Sequence, residues 1–396
     1  MVRVSITKTQ KDFYDTFVRA IRDLGGPRVS PGDRVLIKPN LVEPAAPDSG
    51  QITNPQLVEA AGRYCLEAGA SRVMIGEGPS YYQAESRLRE CFTRTGVSGV
   101  ADRLGIEWVL FDEHCYRTCK GVSGCTPGEF RVTEFAFTCD KFINLPVLKT
   151  HYLTKVTLAM KNLKGCLKRE DKPRFHRQDL ERAVVHLAGV IRPTLNVIDC
   201  PAGIVKRQMG TGCIPDRNPV ESGLLIASTD MVAADTVGCA LMGIDPQEVR
   251  TITLGAASGL GESDLSRMDI VGEELKGLRF KIKLPQELLR ESFPLVEIVG
   301  AEKACSGCLM PLLSGLSLLR EQGVELKNPL AICIGQEPKV AGDRPLLFLG
   351  DCAGAGRGDG FDYIRGCPPK REDLLGILAR QATAGNPGRV KARVSK

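Results

Sequence analysis

The sequence predicts an α/β protein with a mostly parallel sheet covered by helices, together with a smaller C-terminal α/β domain. Short β-rich runs alternate with longer helical patterns over roughly the first 270 of the 396 residues, as expected of strands joined by crossover helices. In the last quarter, cysteines follow short apolar runs instead. We therefore expect one domain over residues 1–290 and a second over residues 291–396.

Six segments are predicted as strands because each is a short apolar or β-branched run between turn residues. They are residues 34–37, 72–75, 107–111, 141–144, 195–198 and 224–227. Three longer stretches have helical patterns, namely residues 54–68, 178–190 and 231–242. Asp230 is a candidate N-cap for the last helix, and Gly243 and Pro246 end it. Residues 269–294 are charged and turn-rich, so we expect the join between the domains there.

Polar side chains follow all six predicted strands. They are Lys38 and Asn40, Glu77, Asp112, Lys149 and His151, Asp199, and Asp230. The carboxyl ends of strands line the ligand crevice of an open α/β sheet. A single polar residue at a strand end more often marks where the chain meets water, but six in succession favour a crevice. We expect Lys38, Asn40, Glu77 and Asp199 to bind substrate there.

The densest positive charge lies between residues 149 and 177, where nine Lys or Arg residues stand against Glu170 and Asp171. Apolar residues at helical spacing predict a buried helical stripe, and they are Val156, Met160, Leu163 and Leu167. Lys161, Lys164 and Lys168 would share a neighbouring face. Such a face could bind a carboxylate or phosphate, and a desolvated lysine beside other cations can become a nucleophile. The alternative is a solvated basic face.

Two of the four histidines, His151 and His176, lie at either end of this basic segment and favour a site. We expect Lys149, His151, Lys161 and His176 to be catalytic and Lys164 to contact the substrate. Asp235 interrupts the small apolar helix that follows Asp230. We expect its carboxylate to belong to the substrate site, where it would neutralise and orient Lys161 or Lys149.

Four cysteines of the last quarter have the pattern of a cluster site. They are Cys305 and Cys308 in Cys-Ser-Gly-Cys, Cys352 after Gly350-Asp351, and Cys367 between Gly366 and Pro368. Thiolate ligation at such positions is typical of a [4Fe–4S] cluster. A structural zinc site is the alternative, although zinc ribbons usually have two closely spaced pairs, and unligated core thiols are a third. Cys333 lies in an apolar run and is predicted to be a buried strand residue.

A second set of thiols, Cys115, Cys119 and Cys125, lies near His114 in a predicted loop. These residues could hold a further metal, together with Cys139 or Cys213. Their spacing does not enforce it, and scattered structural or solvent-facing cysteines are the alternative.

Composition excludes several classes. The chain has 15 cysteines and a polar beginning without the pattern of a secretion signal, so we expect reduced thiols, a cytoplasmic protein and an anaerobic cell. The sequence contains no run of about 18 apolar residues, so no membrane span is predicted. The net charge is +6 with one Trp, which does not suggest base stacking on nucleic acid.

The sequence resembles the bacterial and archaeal "domain of unknown function 362" proteins, which include iron–sulfur-binding members. Four motifs carry the resemblance over roughly residues 30–275: Val35-Leu-Ile-Lys-Pro-Asn40, Ile143-Asn-Leu-Pro-Val-Leu-Lys-Thr-His151, Thr157-Leu-Ala-Met-Lys-Asn-Leu-Lys-Gly165 and Ala227-Ser-Thr-Asp-Met-Val-Ala-Ala-Asp235. The same stretch is more distantly similar to the N-terminal domain of nickel-pincer lactate racemases. That similarity implies a catalytic histidine at His151, a cofactor-tethering lysine at Lys161 and a nickel-binding histidine at His176. That family's other catalytic histidine has no match here.

Two functions follow as expectations. The first is a [4Fe–4S] protein that acts as an oxidoreductase or electron-transfer component on an anionic small molecule, with a redox protein as a possible partner. The second is a non-redox, metal-dependent racemase or isomerase in which the cluster is structural and a second metal or cofactor lies at His151, Lys161 and His176.

Overall fold

The computed structural model describes residues 1–10, 12–42, 44–47, 50–80, 85–201, 209–210, 223–339, 345–354 and 362–383. The chain divides into two compact units, of which the first ends at Ile282 and the second begins at Lys283. None of the helices in these ranges is long and apolar enough to cross a membrane.

Seventeen strands lie in the described ranges. In chain order they are β1 Val2–Lys8, β2 Arg34–Pro39, β3 Arg72–Glu77, β4 Glu107–Leu110, β5 Tyr116–Lys120, β6 Glu129–Thr133, β7 Lys141–Leu145, β8 Lys149–His151, β9 Lys155–Thr157, β10 Leu195–Cys200, β11 Met209–Gly210, β12 Leu224–Ser228, β13 Met268–Gly272, β14 Val296–Val299, β15 Leu330–Cys333, β16 Leu346–Leu349 and β17 Asp362–Ile364.

Fifteen α-helices lie in the same ranges. They are α1 Phe13–Asp23, α2 Pro55–Glu67, α3 Glu85–Arg94, α4 Val97–Leu104, α5 Phe135–Thr138, α6 Ala159–Asn162, α7 Asp171–His176, α8 Leu180–Val190, α9 Met231–Leu241, α10 Arg250–Ala257, α11 Leu275–Leu278, α12 Pro285–Ser292, α13 Ser306–Glu321, α14 Asp351–Gly354 and α15 Arg371–Thr383.

The first unit is built on an eight-stranded sheet in the order β13-β1-β12-β10-β7-β2-β3-β4. Neighbouring strands are parallel except where β12 pairs with β1 and with β10. The predicted mostly parallel sheet covered by helices is therefore confirmed. Strand β12 runs antiparallel to the other seven strands. Its C-terminal end, which Asp230 follows, therefore lies on the opposite side of the sheet from the C-terminal ends of the other strands. The prediction that Asp230 joins them in one crevice is wrong.

One face of this sheet carries a large apolar core. Side chains such as Ile37, Ile143 and Leu195 pack there against α1, α2 and α4. Asn54 caps α2 by accepting a hydrogen bond from the Gln56 N–H, and Pro55 takes the first helical position, where a missing N–H costs nothing. On the other face, all eleven residues of α9 are buried. The sheet is thus covered on both sides, as an open parallel sheet requires.

The six predicted strands all exist, with ends shifted by one or two residues. Two neighbouring strands on one side of the eight-stranded sheet were not predicted. The first, β1, lies in the polar alternating start of the chain, and β13 lies in the charged stretch that was expected to join the domains. The buried stripe from Val156 to Leu167 is buried as predicted, but it is not one helix. Val156 belongs to β9, α6 is a single turn, and a 3-10 turn follows over Leu163–Cys166.

The second unit has its own four-stranded parallel sheet in the order β14-β15-β16-β17. Helices α13 and α15 pack against each other in this unit. Cys333 is fully buried in β15, as the sequence predicted. Because all four strands are parallel, the residues that follow them meet at one edge.

Candidate functional site

The candidate site of the first unit is built on the β8–β9 hairpin and on α6. Lys149 and His151 are the first and last residues of β8, and both are buried. Lys155 at the hairpin turn has a φ of 57°, which is strained for a residue with a side chain. Helix α6 begins where the carboxylate of Asp235 accepts hydrogen bonds from the N–H groups of Ala159 and Met160, at 2.6 and 3.2 Å.

Lys161 is the third residue of α6. Burial of its amine and the charges of Lys164 and Lys149 hold its pKa well below the usual 10.5. The residue as a whole is half-buried, and its amine is desolvated. Within the described part of the chain, no carboxylate forms an ion pair with Lys161. A lysine in these surroundings carries a neutral, nucleophilic amine at lower pH than an exposed lysine does.

His151 is held in one tautomer by its backbone surroundings. Its Nδ1 accepts hydrogen bonds from the N–H groups of Leu153 and Thr154, at 3.1 and 3.2 Å. Nδ1 is therefore unprotonated, and Nε2 carries the proton. Burial, followed by the charge of Lys161, holds the pKa of His151 well below 6.5. The neutral ring can donate a hydrogen bond from Nε2, and it acts as a donor rather than as a base.

Lys164 and His176 are partners in the site. Lys164 Nζ lies 2.6 Å from His176 Nε2. Burial and the charges of Lys164 and Lys161 hold the pKa of His176 well below 6.5, so its neutral Nε2 accepts from the ammonium. The structure thus brings together Lys149, His151, Lys161, Lys164 and His176, since the pKa of His151 responds to the other four.

Lys149 points to the network beneath the site. Its Nζ donates to Asn40 Oδ1 at 2.6 Å and to the Gln51 carbonyl at 2.8 Å. Asn40 is buried, and its backbone N–H donates a hydrogen bond to the Thr53 hydroxyl oxygen at 2.8 Å. The predicted substrate-binding residue Asn40 is therefore a direct partner of a predicted catalytic lysine.

Lys38 and Glu77 form a buried ion pair of 2.8 Å, and both side chains are almost fully excluded from solvent. Lys38 also donates to the Pro39 carbonyl at 3.0 Å. Gly165 lies directly over the pair, because a Cβ there would come within 2.0 Å of Glu77 Oε1 and 2.6 Å of Lys38 Nζ. These two charges, predicted to bind substrate, are engaged with each other.

The remaining predicted residues have backbone partners. Asp199 Oδ2 accepts from the Asn54 N–H at 2.8 Å, and burial raises its pKa to about 7. Burial also raises the pKa of Asp235 to about 7, and its recorded hydrogen bonds go to the start of α6 rather than to Lys149 or Lys161. Asp112 accepts from the Tyr116 hydroxyl.

Sequence reasoning missed two features of this region. Lys172 is buried and donates to the Pro79 and Gly165 carbonyls at 2.5 and 3.3 Å, and burial lowers its pKa to about 8. Three asparagines, Asn144, Asn162 and Asn196, form a buried hydrogen-bonded series. In the sequence each is a single amide, two of them in apolar runs and Asn162 beside Lys161, and nothing there reveals the hydrogen-bond partner.

The four predicted cluster cysteines are neighbours in the second unit. Cys308 is buried and forms a hydrogen bond with Cys305, and this bond, burial and the nearby Cys352 and Cys367 raise its pKa. Cys352 lies in α14, directly after β16, and Cys367 follows β17. Gly350 comes so close that a Cβ there would lie 2.5 Å from Cys308 Sγ.

The loops that carry these thiols are tied to each other. The Gly350 N–H donates to the Ile364 carbonyl at 2.8 Å, and the Gly366 N–H donates to Asp351 Oδ1 at 2.7 Å. Across the described ranges, no set of three or more His, Cys, Asp or Glu side chains has the arrangement of a formed metal site. The thiols are thus close without a completed ligand geometry, and their chemistry fits a thiolate-bound cluster.

Among the residues that the structure describes, Cys115, Cys119 and Cys125 do not belong to a group of side chains that could hold a metal ion. Cys115 is exposed, whereas Cys119 and Cys125 are partly buried and burial raises the pKa of both. Cys213 lies outside the described residues. A second metal at this set remains a prediction.

Three matches to known proteins show what the chain is similar to. A family model described as "Domain of unknown function (DUF362)" matches residues 35–240. A thylakoid-associated protein of Synechocystis sp. is 30% identical over 351 residues, which cover 84% of this chain and 98% of the relative. The structure of the lactate racemase apoprotein from Thermoanaerobacterium thermosaccharolyticum matches with a TM-score of 0.39 and 13% identity, over 60% of this chain and 56% of that chain.

Proposed function

This chain belongs to the DUF362 family, and we propose that it is an iron–sulfur enzyme acting on a small anionic carbonyl or carboxylate compound. The observation that carries the substrate class is the desolvated amine of Lys161 beside the cations Lys149 and Lys164. The observation that supports the cluster is the grouping of Cys305, Cys352 and Cys367 around Cys308.

In the proposed site, Lys149 and Lys164 attract the anionic group of the substrate, because positive charges in a poorly solvated site act strongly on an anion. The neutral amine of Lys161 attacks a carbonyl carbon. An imine forms when both amine hydrogens leave with the carbonyl oxygen as water. The Nε2–H of His151 donates a hydrogen bond to an oxygen of the substrate and polarises it.

In the second unit, Cys305, Cys308, Cys352 and Cys367 would hold the [4Fe–4S] cluster. Such a cluster supplies one-electron transfer when bound, so the proposal includes an oxidoreductase or electron-transfer role and a redox protein partner. No disulfide joins any two of the 14 cysteines that the structure describes. This suits a reducing compartment, and we propose the cytoplasm.

A second candidate is a non-redox racemase or isomerase. It is favoured by the pairing of a neutral lysine base, Lys161, with a neutral donor, His151, since proton removal beside a carboxylate needs both. A metal or cofactor at His151, Lys161 and His176 belongs to this alternative. His151 would bind a metal through Nε2 only after that nitrogen loses its proton.

Reductive trapping with glyoxylate, an anionic aldehyde, tests the site. Cyanoborohydride reduces an imine to a stable secondary amine, so peptide mass spectrometry identifies the lysine that reacted. We expect labelling of Lys161 at pH 7, its loss in Lys161→Met, and its retention in Lys168→Met, which removes a partly exposed lysine near Glu170. Labelling spread over the surface lysines, with Lys161 unmodified, would refute the proposed site.

Iron, zinc and acid-labile sulfide in protein purified without oxygen test the cluster. Iron with matching sulfide and a colour that dithionite bleaches support the redox proposal. The same content without bleaching favours the non-redox candidate with a structural cluster. Zinc without sulfide excludes the iron–sulfur proposal.

A further inference from the structure

A groove lies along α8 in the first unit, and none of its lining residues belongs to the candidate site described above. Its volume is about 540 Å³, which is within the usual range of roughly 300–1,000 Å³ for small-molecule sites. Helix α8 forms one wall. The end of α10 with the residues that follow it forms the second wall, and the loop between β5 and β6 forms the third. We call this feature the α8 groove.

The middle of the α8 groove is apolar and open. Arg182, Val185, His186 and Gly189 line it at positions i, i+3, i+4 and i+7 of α8, so they share one face of the helix. Val185 is buried, and Gly189 has no side chain to fill the space beside it. A Cβ at Gly189 would have Leu260 Cδ2 as its nearest neighbour, at 3.7 Å. Apolar surface therefore faces the groove from two walls.

Each end of the groove has an arginine. Arg182 lies in the first turn of α8, and Arg192 lies two residues beyond the last turn. The eight residue steps from Arg182 to the end of the helix rise roughly 12 Å along its axis. Among the lining residues that the structure describes there is no Asp or Glu. The α8 groove thus has two positive ends and an uncharged middle.

Both guanidinium groups can bind a further anion. Arg192 is exposed, and within the described ranges it forms no hydrogen bond or ion pair. Arg182 is mostly exposed and lies 3.4 Å from Asp179 Oδ2. That carboxylate is held more closely by Arg250, at 2.8 Å. A long, exposed ion pair of this kind contributes little, so Arg182 can exchange it for a ligand.

The walls are held in place by bonds within the protein. Across the base of the β5–β6 loop, the Gly121 N–H donates to the Gly128 carbonyl at 2.7 Å. His186 Nε2 donates to the Lys120 carbonyl at 3.3 Å, which ties this hairpin to α8. Arg250 ties α10 to α8 through its ion pair with Glu181. A preformed groove lowers the entropic cost of binding.

We propose that the α8 groove binds an elongated organic anion that has a carboxylate at each end and an apolar body between them. Each arginine fork matches the two oxygens of one carboxylate. The apolar body would cover the middle of the groove, including the side chain of Val122, which is 48% exposed. This site is separate from the proposed chemistry at Lys161, and it stands or falls independently of it.

Titration calorimetry on the full chain tests the ligand class. The probe is sebacate, a straight-chain dicarboxylate whose extended length approaches the separation of the two arginines. We expect saturable binding of one sebacate per chain. Decanoate has the same chain length and one carboxylate, and glutarate is a dicarboxylate too short to reach both arginines. Both should bind more weakly than sebacate.

The arginine variants test the two ends. Arg182→Gln and Arg192→Gln should each weaken sebacate binding about two- to five-fold, as expected for the loss of one exposed ion pair. Arg22→Gln is the matched control, because it removes the charge of an exposed arginine from the last turn of α1. It should leave sebacate binding unchanged.

Gly189 tests the middle of the groove. Gly189→Leu fills the space with a side chain and should abolish sebacate binding. Gly189→Ala adds a single carbon in ordinary contact with Leu260 and should keep most of it. Both variants replace glycine with a better helix former, so thermal unfolding should show neither to be destabilised. Lost binding in Gly189→Leu alone then reports the filled groove.

Three results would overturn the proposal. They are the absence of saturable sebacate binding to the wild-type protein, equal affinities for sebacate and decanoate, and an equal loss of affinity in Arg22→Gln and Arg192→Gln. Unchanged sebacate binding in a folded Gly189→Leu would likewise place the ligand elsewhere and overturn it. If Gly189→Leu does not fold, the arginine variants decide the question.

Discussion

The ammonium of Lys38 and the carboxylate of Glu77 lie 2.8 Å apart in a fully buried ion pair between β2 and β3. Glu77 Oε1 also accepts from the Gly78 N–H at 2.9 Å. Each charge thus has its partner within the fold. A buried pair of this kind depends on both members, because removing one leaves an uncompensated charge in the interior.

We predict that Glu77→Gln destabilises the protein by roughly 3–5 kcal/mol, the usual cost of leaving one buried charge unpaired. The double variant Lys38→Met with Glu77→Leu should cost less than Glu77→Gln, because no charge remains to be desolvated. Urea unfolding at neutral pH measures both. If Glu77→Gln lowers the free energy of unfolding by less than about 1 kcal/mol, Lys38 has another partner or ligand. Lys38 and Glu77 would then again be candidates for binding substrate.

Gly165 is the second test of this arrangement. A Cβ at this position would meet Glu77 Oε1 at 2.0 Å and Lys38 Cε at 2.6 Å. We predict that Gly165→Ala costs roughly 1–3 kcal/mol through overpacking. Gly128→Ala is the control, because a Cβ there meets nothing within 4 Å. Chemical denaturation of the two variants compares them directly, and equal stabilities would mean that Gly165 does not pack on the ion pair.

The sequence predicts most of the sheet because a buried parallel strand is a short apolar run between turns, as in β2, β3 and β10. It does not reveal the direction of β12, which depends on tertiary pairing and moves Asp230 away from the other strand ends. An edge strand such as β13 is only partly buried, and it lies in a charged stretch whose sequence resembles a loop.

The site is predictable in composition but not in arrangement. The basic segment marked Lys149, Lys161 and Lys164 because charge density is visible in sequence. The predicted helix over Val156–Leu167 does not form as one helix, because the carboxylate of Asp235 caps α6 at Ala159, 76 residues away in the sequence. Long-range hydrogen bonds of this kind, like those of Asn144 and Asn196, leave no periodic signal.

The carboxyl of Asp199 predicts an unusual pH dependence of stability. Burial raises its pKa from 3.8 to about 7, so the native state binds a proton that the unfolded state releases between these values. Stability from this group is therefore present below about pH 4 and is lost as pH rises through 7. The shift of about three pKa units corresponds to at most roughly 4 kcal/mol.

We predict that Asp199→Asn, which keeps an oxygen for the Asn54 N–H, is close to wild type in stability at pH 4 and more stable at pH 8. Urea unfolding at the two pH values measures the difference. Asp140→Asn is the contrast, because the side-chain hydrogen bond from Arg34 lowers the pKa of Asp140 to about 2. Its effect should be nearly the same at both pH values. A difference for Asp199→Asn that does not change with pH would contradict the prediction.

Gly350 gives the last prediction, on the cysteines of the second unit. It has a φ of 90°, and a Cβ there would lie 2.5 Å from Cys308 Sγ. We predict that Gly350→Ala displaces this thiol and lowers the iron and sulfide content of anaerobically purified protein by more than half. Gly323→Ala carries the same kind of backbone strain at a φ of 67°, but a Cβ there meets nothing within 4 Å.

Strain alone would therefore affect both glycine variants, whereas contact with the thiol affects only Gly350→Ala. Cys333→Ala adds a control for the loss of a buried thiol from β15. Iron retained in Gly323→Ala and Cys333→Ala but lost in Gly350→Ala and Cys308→Ser places the cluster at the predicted thiols. Equal iron in all four variants would mean that Cys308 is not a ligand and that any cluster is held elsewhere.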